Sequence, residues 1–503
     1  MKSYSSIKLA PSLVKPWLTP LLAALLLAAC GAPDFKQPKI EVPVAFKESS
    51  RLTPWQPGEP LSATDGTRWQ AAKPAEAQSR GEWWLVFNDP ALNQLIADAT
   101  QANANLAVAA ARVRQARAIA GIAEADRIPQ LGVNAGGERG RSSALALNLP
   151  QGTTIAPANI YQANLTASYE VDLFGRVASS VNAARADFAA TEATYRSVLL
   201  SLQADVAQTY FRLRAADAEL ATLNDTVKLR EESVHVNQRR YDLGDLGEFD
   251  LIRARTELLT ARAEAIGLQR QRATNEHALA VLIGKPAAAF SASVNPLEES
   301  VALPHIPAGL PSALLERRPD IAAAERNMQA ANARTGVARA AMFPALNLSG
   351  GVGGMATSMP DVFKWTNSSW LLGALLSMPI IDGGRNKAVV AQSEAQLDES
   401  IATYRQNVLV AFADVEDNLA GLRILAGQSE QIDAAVVSAR RSVELAQQLY
   451  AAGRSSYLDL LDAQRNLAAI ERNAVQLRGS RAVTTVALIR SLGGGWDSAS
   501  GRI

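Results

Sequence analysis

The chain has 503 residues, enough for a large buried core, and 50 Lys and Arg against 49 Asp and Glu leave a net charge of +1, which offers no basic field for nucleic acid. Three histidines (His235, His277, His305) and one cysteine are too few for a zinc, haem or iron–sulfur centre. No nucleophile–base pairing, phosphate loop or metal-ligand spacing stands out, so the sequence points to no enzyme, no catalytic residue, no metal and no cofactor.

Lys2, Lys8 and Lys15 precede an apolar run over 21–29. At about ten residues it is short for a membrane-spanning helix and suits a signal peptide. The run ends Leu27-Ala-Ala-Cys30, small residues before the chain's one cysteine, and resembles the lipobox of bacterial lipoproteins. That resemblance implies removal of 1–29 and a covalent lipid on Cys30. Gly31, where an aspartate would imply retention at the inner membrane, fits the outer membrane. An extended segment is expected over 30–90.

The rest of the chain contains its own half twice. Ala193-Thr-Tyr-Arg196 recurs as Ala402-Thr-Tyr-Arg405, Ala204-Asp-Val206 as Ala413-Asp-Val415, Tyr241-x-x-Gly244 as Tyr450-x-x-Gly453, and Gly284 as Gly493, all 209 residues apart. Further upstream, Gly121 and Pro129 match Gly336 and Pro344 at a spacing of 215. Two tandem repeats, 91–300 and 301–503, therefore give one subunit internal pseudo-symmetry.

Within the first repeat a helix is expected over 92–127, strands over 130–137 and 161–173, a long helix over 175–241 and a shorter one over 245–282. The second repeats the order: a helix over 319–342, strands over 345–353 and 369–380, then helices over 384–450 and 456–492. The long helices carry apolar heptads. One line is Leu199, Val206, Leu213, Leu220, Val227 and Val234; its counterpart is Ile401, Val408, Val415, Leu422, Val436, Val443 and Tyr450, beside Tyr404, Ala411, Leu425, Ile432, Ala439 and Ala446. Such a pattern demands helices wound around one another. About 65 residues of helix span roughly 100 Å. Two short helices end to end match one long one, which suggests a cylinder wall.

The segment Tyr161–Leu173 alternates apolar and polar over thirteen residues, as a membrane-barrel strand does between lipid and lumen. In 369–380, Trp370, Leu372, Ala374, Leu376 and Met378 share the lipid-side parity, and Trp365 and Trp370 suit an interfacial belt. Lipid tolerates no open sheet edge, so four strands need other subunits: two would give eight strands, three would give twelve.

These pieces, with Pro33-Asp-Phe-Lys-x-Pro38, Trp84-x-x-Phe87-x-Asp89-Pro90-x-Leu92, Arg112-Val-x-Gln-Ala-Arg117, Asp172-Leu-Phe-Gly-Arg176 and Tyr450-x-x-Gly453-x-x-x-Tyr457-Leu-Asp459-x-Leu-Asp462-Ala-Gln-Arg465, resemble the TolC/OprM type of outer-membrane factor, in its NodT-like lipoprotein branch. The resemblance covers essentially the whole mature chain. It implies a mainly α fold with a membrane β-barrel: a homotrimer with twelve strands and coiled-coil helices forming a periplasmic α-barrel. It implies a lipid-anchored channel of the bacterial outer membrane, extending into the periplasm and working with a periplasmic adaptor and an inner-membrane pump, usually of the resistance–nodulation–division class. Small molecules such as drugs and toxic compounds would exit passively.

By the same resemblance, Asp459 and Asp462 are pore-entrance selectivity residues, three apart and able to face one lumen. Tyr450 and Asp250 are gate contacts bridging inner and outer helix pairs, and Arg454 stands next to Ser455, where the family's gate arginine is expected. Gly244 and Gly453 mark the adaptor-docking turns and require positive φ. The rival reading of a non-conducting surface scaffold explains the coiled coils but not the alternating strands.

Overall fold

The structure is a computed structural model that describes residues 35–38, 40, 42–48, 82–150, 152–298 and 311–494. The leader 1–29, Cys30 and most of the segment 30–90 lie outside the described residues. In chain order the elements are α1 (Pro90–Ala102), α2 (Ala104–Ala125), β1 (Gln130–Gly140), β2 (Ala158–Val171), α3 (Arg176–Asp242), α4 (Glu248–Leu282), α5 (Pro311–Arg317), α6 (Pro319–Ala340), β3 (Ala345–Ala356), β4 (Ser368–Ser377), α7 (Arg385–Ala451) and α8 (Tyr457–Ser491), with short 3-10 turns between some of them. The long helices α3 and α7 have 67 residues each and the short helices α4 and α8 have 35 each. Among the described residues no helix is long and apolar enough to cross a membrane.

The helix expected over 92–127 is two helices. Asn103 leaves the helical region with ψ at 123°, its Oδ1 accepts the N–H of Leu106 at 3.0 Å, and its Nδ2 donates to the carbonyl of Leu282 at 2.8 Å. The second repeat breaks at the equivalent place, 215 residues later. There Arg318, between α5 and α6, donates from Nη1 to the carbonyl of Ser491 at 3.2 Å. Leu282 and Ser491 are themselves 209 apart, so both repeats tie the start of one helix to the end of another by the same link.

The described chain forms two compact units. The first holds residues 114–190 and 325–403, and with them the sheet. Its four strands are antiparallel in the order β1-β2-β3-β4. The register lines up one apolar face. Leu131, Val133 and Ala135 lie opposite Ala167, Leu165 and Ala163, which lie opposite Gly350, Val352 and Gly354; Leu372 and Trp370 continue the rows on β4. The other face carries Gln130, Asn134, Gln162, Asn164, Thr166, Ser168, Glu170, Asn347 and Ser349, interrupted by the apolar Ile160, Met355, Leu371 and Leu375. On the apolar face Val133 is 77% exposed, Trp370 75% and Leu372 78%. Trp365 sits beyond the strand in a turn, also exposed. Among the described residues no strand lies beside the outer edge of β1 or of β4.

Two strands end earlier than the alternation predicts, because the next helix claims their last residues. Asp172 caps α3, accepting from Val177 N at 3.1 Å and Ala178 N at 2.7 Å, with Gly175 at φ +74°. Asp382 does the same for α7 through Gly384 N and Asn386 N, both at 2.9 Å, with Gly384 at φ +86°. Met378 therefore falls outside β4.

The second unit holds residues 39–113, 191–324 and 404–503. The heptads do bury: Tyr404, Val408, Ala411, Val415 and Ala439 are interior on α7, and Val206 and Leu213 on α3. Equivalent arginines also strap each long helix to an irregular segment outside the helical hairpins. Arg214 of α3 donates to the carbonyls of Asn295 (3.2 Å) and Pro296 (3.3 Å) in the linker that precedes the second repeat. Its counterpart Arg423 of α7 donates to Glu48 (2.8 Å), in the segment that precedes the first. Phe46 and Leu297 enter one shared core beside these arginines.

Candidate functional site

The two helix–turn–helix joints are built alike. At the first, Gly244 has φ +77°, its N–H meets the carbonyl of Tyr241 at 2.9 Å, and Asp245 N meets Arg240 O at 2.8 Å. At the second, Gly453 has φ +70°, with Gly453 N to Tyr450 O at 3.0 Å and Arg454 N to Leu449 O at 2.9 Å. This paired closure satisfies carbonyls that the helix end would leave orphaned, and a left-handed residue is needed to make it.

The aspartates at the second joint differ in their surroundings. Asp459 is the N3 residue of a capping box: Ser456 Oγ accepts from Asp459 N at 3.3 Å, while Asp459 Oδ2 accepts from Ser456 N at 2.9 Å. The Ser456 hydroxyl donates to the same oxygen at 2.8 Å, and these bonds hold the carboxyl below the ordinary aspartate range. Asp462, one turn on, is exposed and stands 3.6 Å from Arg465, whose guanidinium is engaged by Glu257 of α4. The sequence placed both as pore-entrance residues; they share a helix face, and Asp459 also caps that helix.

Tyr450 links helices of the two repeats, but not through Asp250. Its hydroxyl donates to Asn237 Oδ1 of α3 at 3.2 Å, the Arg240 guanidinium lies 5.1 Å from its ring, and the Tyr457 ring is 5.9 Å away. Asp250 is half-buried in the first turn of α4 and makes no side-chain hydrogen bond to Tyr450 among the described residues. Arg454 is exposed, its backbone closing the turn.

Behind these turns lies a polar cluster that the sequence reading passed over. Arg230 of α3, 3% exposed, donates from Nη1 to Gln464 Oε1 of α8 at 2.7 Å. Burial lowers the pKa of its guanidinium, opposed by nearby Glu257. Two turns further Asn237 is 1% exposed, and the buried hydroxyl of Tyr457 lies close by without a formed hydrogen bond; burial raises its pKa. A cavity of about 460 Å³ opens beside Asn237, Tyr450, Tyr457 and Gln464. The signal was present: Arg230 and Asn237 continue a heptad line that the second repeat fills with Ala439 and Ala446. Polar residues at such seam positions fix register and partner at a cost in stability.

Comparison with known proteins fits this geometry. Residues 95–285 and 310–494 match the family model described as "OEP: Outer membrane efflux protein", one stretch in each repeat. The toluene efflux pump outer membrane protein TtgC of Pseudomonas putida is 34% identical over 493 residues, covering 97% of this chain and 98% of that protein. The cation efflux system protein CusC of Escherichia coli is 32% identical over 482 residues, 95% and 99% of the two chains. The solved open state of the MtrE outer membrane channel of Neisseria gonorrhoeae is 30% identical and superposes with a TM-score of 0.77 over 93% of this chain and 98% of that one. The chain thus belongs to the outer membrane efflux protein family, and is an efflux channel of the outer membrane rather than an enzyme.

Proposed function

We propose that three copies of this chain close a twelve-stranded barrel and form the exit duct of a tripartite efflux system, working with a periplasmic adaptor and an inner-membrane pump of the resistance–nodulation–division class. The observation that carries this reading is the sheet: one face apolar and exposed, one mostly polar, and both edges open among the described residues. In lipid an open edge costs several kcal/mol for each unsatisfied backbone group, so the edges must be paired. Three copies give twelve strands and room for a passage, where eight would be filled by side chains.

The cargo is small organic compounds of the toxic or drug class, supported by the relation to a toluene efflux protein; the relation to a cation efflux protein makes metal cations the second reading. A lipid on Cys30 anchors each copy. Asp459 and Asp462 form two rings of three carboxylates, which favour cations in a narrow mouth. Tyr450, Asp250 and Arg454 belong to the gate, and the turns at Gly244 and Gly453 meet the adaptor. The test is conductance in planar bilayers. Tyr450→Phe removes the hydroxyl that bridges α7 to α3, and with Asp250→Ala it should raise single-channel conductance; unchanged, low conductance overturns the gate assignment.

A further inference from the structure

The loop that joins β3 to β4 folds back onto the sheet. It makes two short 3-10 turns, Met359–Phe363 and Trp365–Asn367, and Val362 in the first is 5% exposed. Its seat is Gly354, which stands in the apolar row of the register beside Ala163 and opposite Ser368. A Cβ on Gly354 would fall 1.9 Å from the Val362 carbonyl oxygen and 3.3 Å from that of Asn367. The loop backbone thus fills the space that a side chain would need. The neighbours mark which face is covered: Tyr161, Ala163 and Ala356 on the apolar side are half-buried, while Gln162 and Met355 on the other side are exposed. In the loop of the first repeat, by contrast, a Cβ on Gly140 or Gly152 would meet nothing within 4 Å, and Leu145 and Leu147 are exposed.

The folded loop satisfies much of its own backbone. Asp361 N meets Ser358 O at 3.2 Å, Lys364 N meets Asp361 O at 3.1 Å and Asn367 N meets Lys364 O at 2.9 Å. Asn367 Nδ2 donates to Asp361 O at 2.8 Å, the Ser368 hydroxyl donates to Trp365 O at 2.7 Å, and Pro360 has no N–H to satisfy. The Asp361 carboxylate accepts the Ser358 hydroxyl at 2.7 Å and pairs with Lys364. Water would satisfy such groups without this closure; lipid would not. What the loop turns outward is apolar: Met359 is 68% exposed, Phe363 82% and Trp365 90%. These side chains continue the exposed apolar face of the sheet, which reaches Trp370 three residues beyond the loop.

We propose that the segment 358–367 is a membrane-docking collar. It lies on the lipid side of the barrel wall and sinks Met359, Phe363 and Trp365 into the outer leaflet, while its charged pair Asp361–Lys364 stays at the headgroups. The leaflet follows from the connections: the loop caps the strand ends opposite those that lead from α6 and into α7. The depth follows from the chemistry, because an irregular loop does not enter the hydrocarbon core, and indole rings settle at the interface. The inference rests on the barrel reading above and adds to it a lipid-binding element outside the strands, with Gly354 as the position that lets it lie flat.

The test uses the full-length protein reconstituted in phospholipid bilayers, with a nitroxide spin label on one introduced cysteine at a time. The parent chain, whose one native cysteine is Cys30, sets the background. Collision of the label with oxygen reports lipid; collision with a water-soluble nickel chelate reports water. Labels at Phe363→Cys and at Trp370→Cys should both favour oxygen. Gly354→Ala should shift the label at 363 toward nickel and leave the one at 370 unchanged. Asp361→Ala leaves the strands untouched and loosens the loop from its own side; it should give the same shift even where Gly354→Ala fails to assemble. A label at 363 that favours nickel while the label at 370 favours oxygen overturns the collar and leaves the barrel standing. A label at 363 shielded from both probes means that protein covers the loop, which also overturns it. If the label at 370 favours nickel as well, the barrel reading falls and the collar with it.

Discussion

Asp459 combines two duties that mutation can separate. As the capping partner of Ser456 it satisfies the start of α8, and under the proposed function its carboxylate also adds to a cation-favouring ring. Ser456→Ala keeps the charge and removes the cap, at a cost of about 1 kcal/mol, so thermal stability should fall while ion selectivity holds. Asp462→Asn removes an exposed charge that caps nothing; the reversal potential in a salt gradient should move toward zero with no change in melting. The pH dependence follows from the depressed pKa of Asp459. A carboxyl lowered on folding contributes above its unfolded value, near 3.9, and loses that contribution as pH falls through the folded value. The cap and the Asp459 ring charge should therefore persist at pH 5 and fade only below about pH 4. The acids at this helix start were legible from the sequence. The Ser456-x-x-Asp459 box could have been read from its spacing. The Tyr450–Asn237 bond could not, because it joins residues 213 apart through a helix crossing that no local pattern encodes.

Glycines at the helix ends are equivalent in backbone and unequal in surroundings. Gly244 and Gly284 have φ +77° and +71°, but a Cβ on Gly244 meets nothing within 4 Å, whereas one on Gly284 would come within 2.4 Å of the Ala102 carbonyl oxygen. Gly244→Ala should cost about 1–2 kcal/mol, the left-handed penalty alone. Gly284→Ala should cost more, because α1 must also move; comparing the urea midpoints of the two variants checks the order. The hairpins carry a further sign of the repeat. Glu231 of α3 pairs with Arg262 of α4 (2.7 Å), and the equivalent residues of α7 and α8 are Arg440 and Glu471 (2.8 Å), the same pair with its charges exchanged. Pairs this exposed add little stability, but the exchange disfavours a short helix folding onto the wrong long one. Helix lengths and the repeat were legible because heptads and glycines are local signals. The break at Asn103 was not, since it depends on a carbonyl more than 170 residues away, whereas the break at Arg318 falls where the sequence already began a helix at Pro319.

At the scale of the molecule, the alternation of Tyr161–Leu173 announced a two-faced sheet, and the register across all four strands bears that out. Composition had already set aside nucleic acid and metal chemistry, and the family assignment agrees with a transport role. Among the described residues neither outer edge of the sheet has a partner strand. Both open edges point to other copies of the chain. The measurement that tests this most directly is the native mass of the detergent-extracted protein, taken with the mass of its denatured N-terminal peptide. Three copies, each beginning at an acylated Cys30, are predicted. A single copy with an unmodified Cys30 would contradict the account, since β1 and β4 would then have to be closed in some way other than by neighbouring subunits.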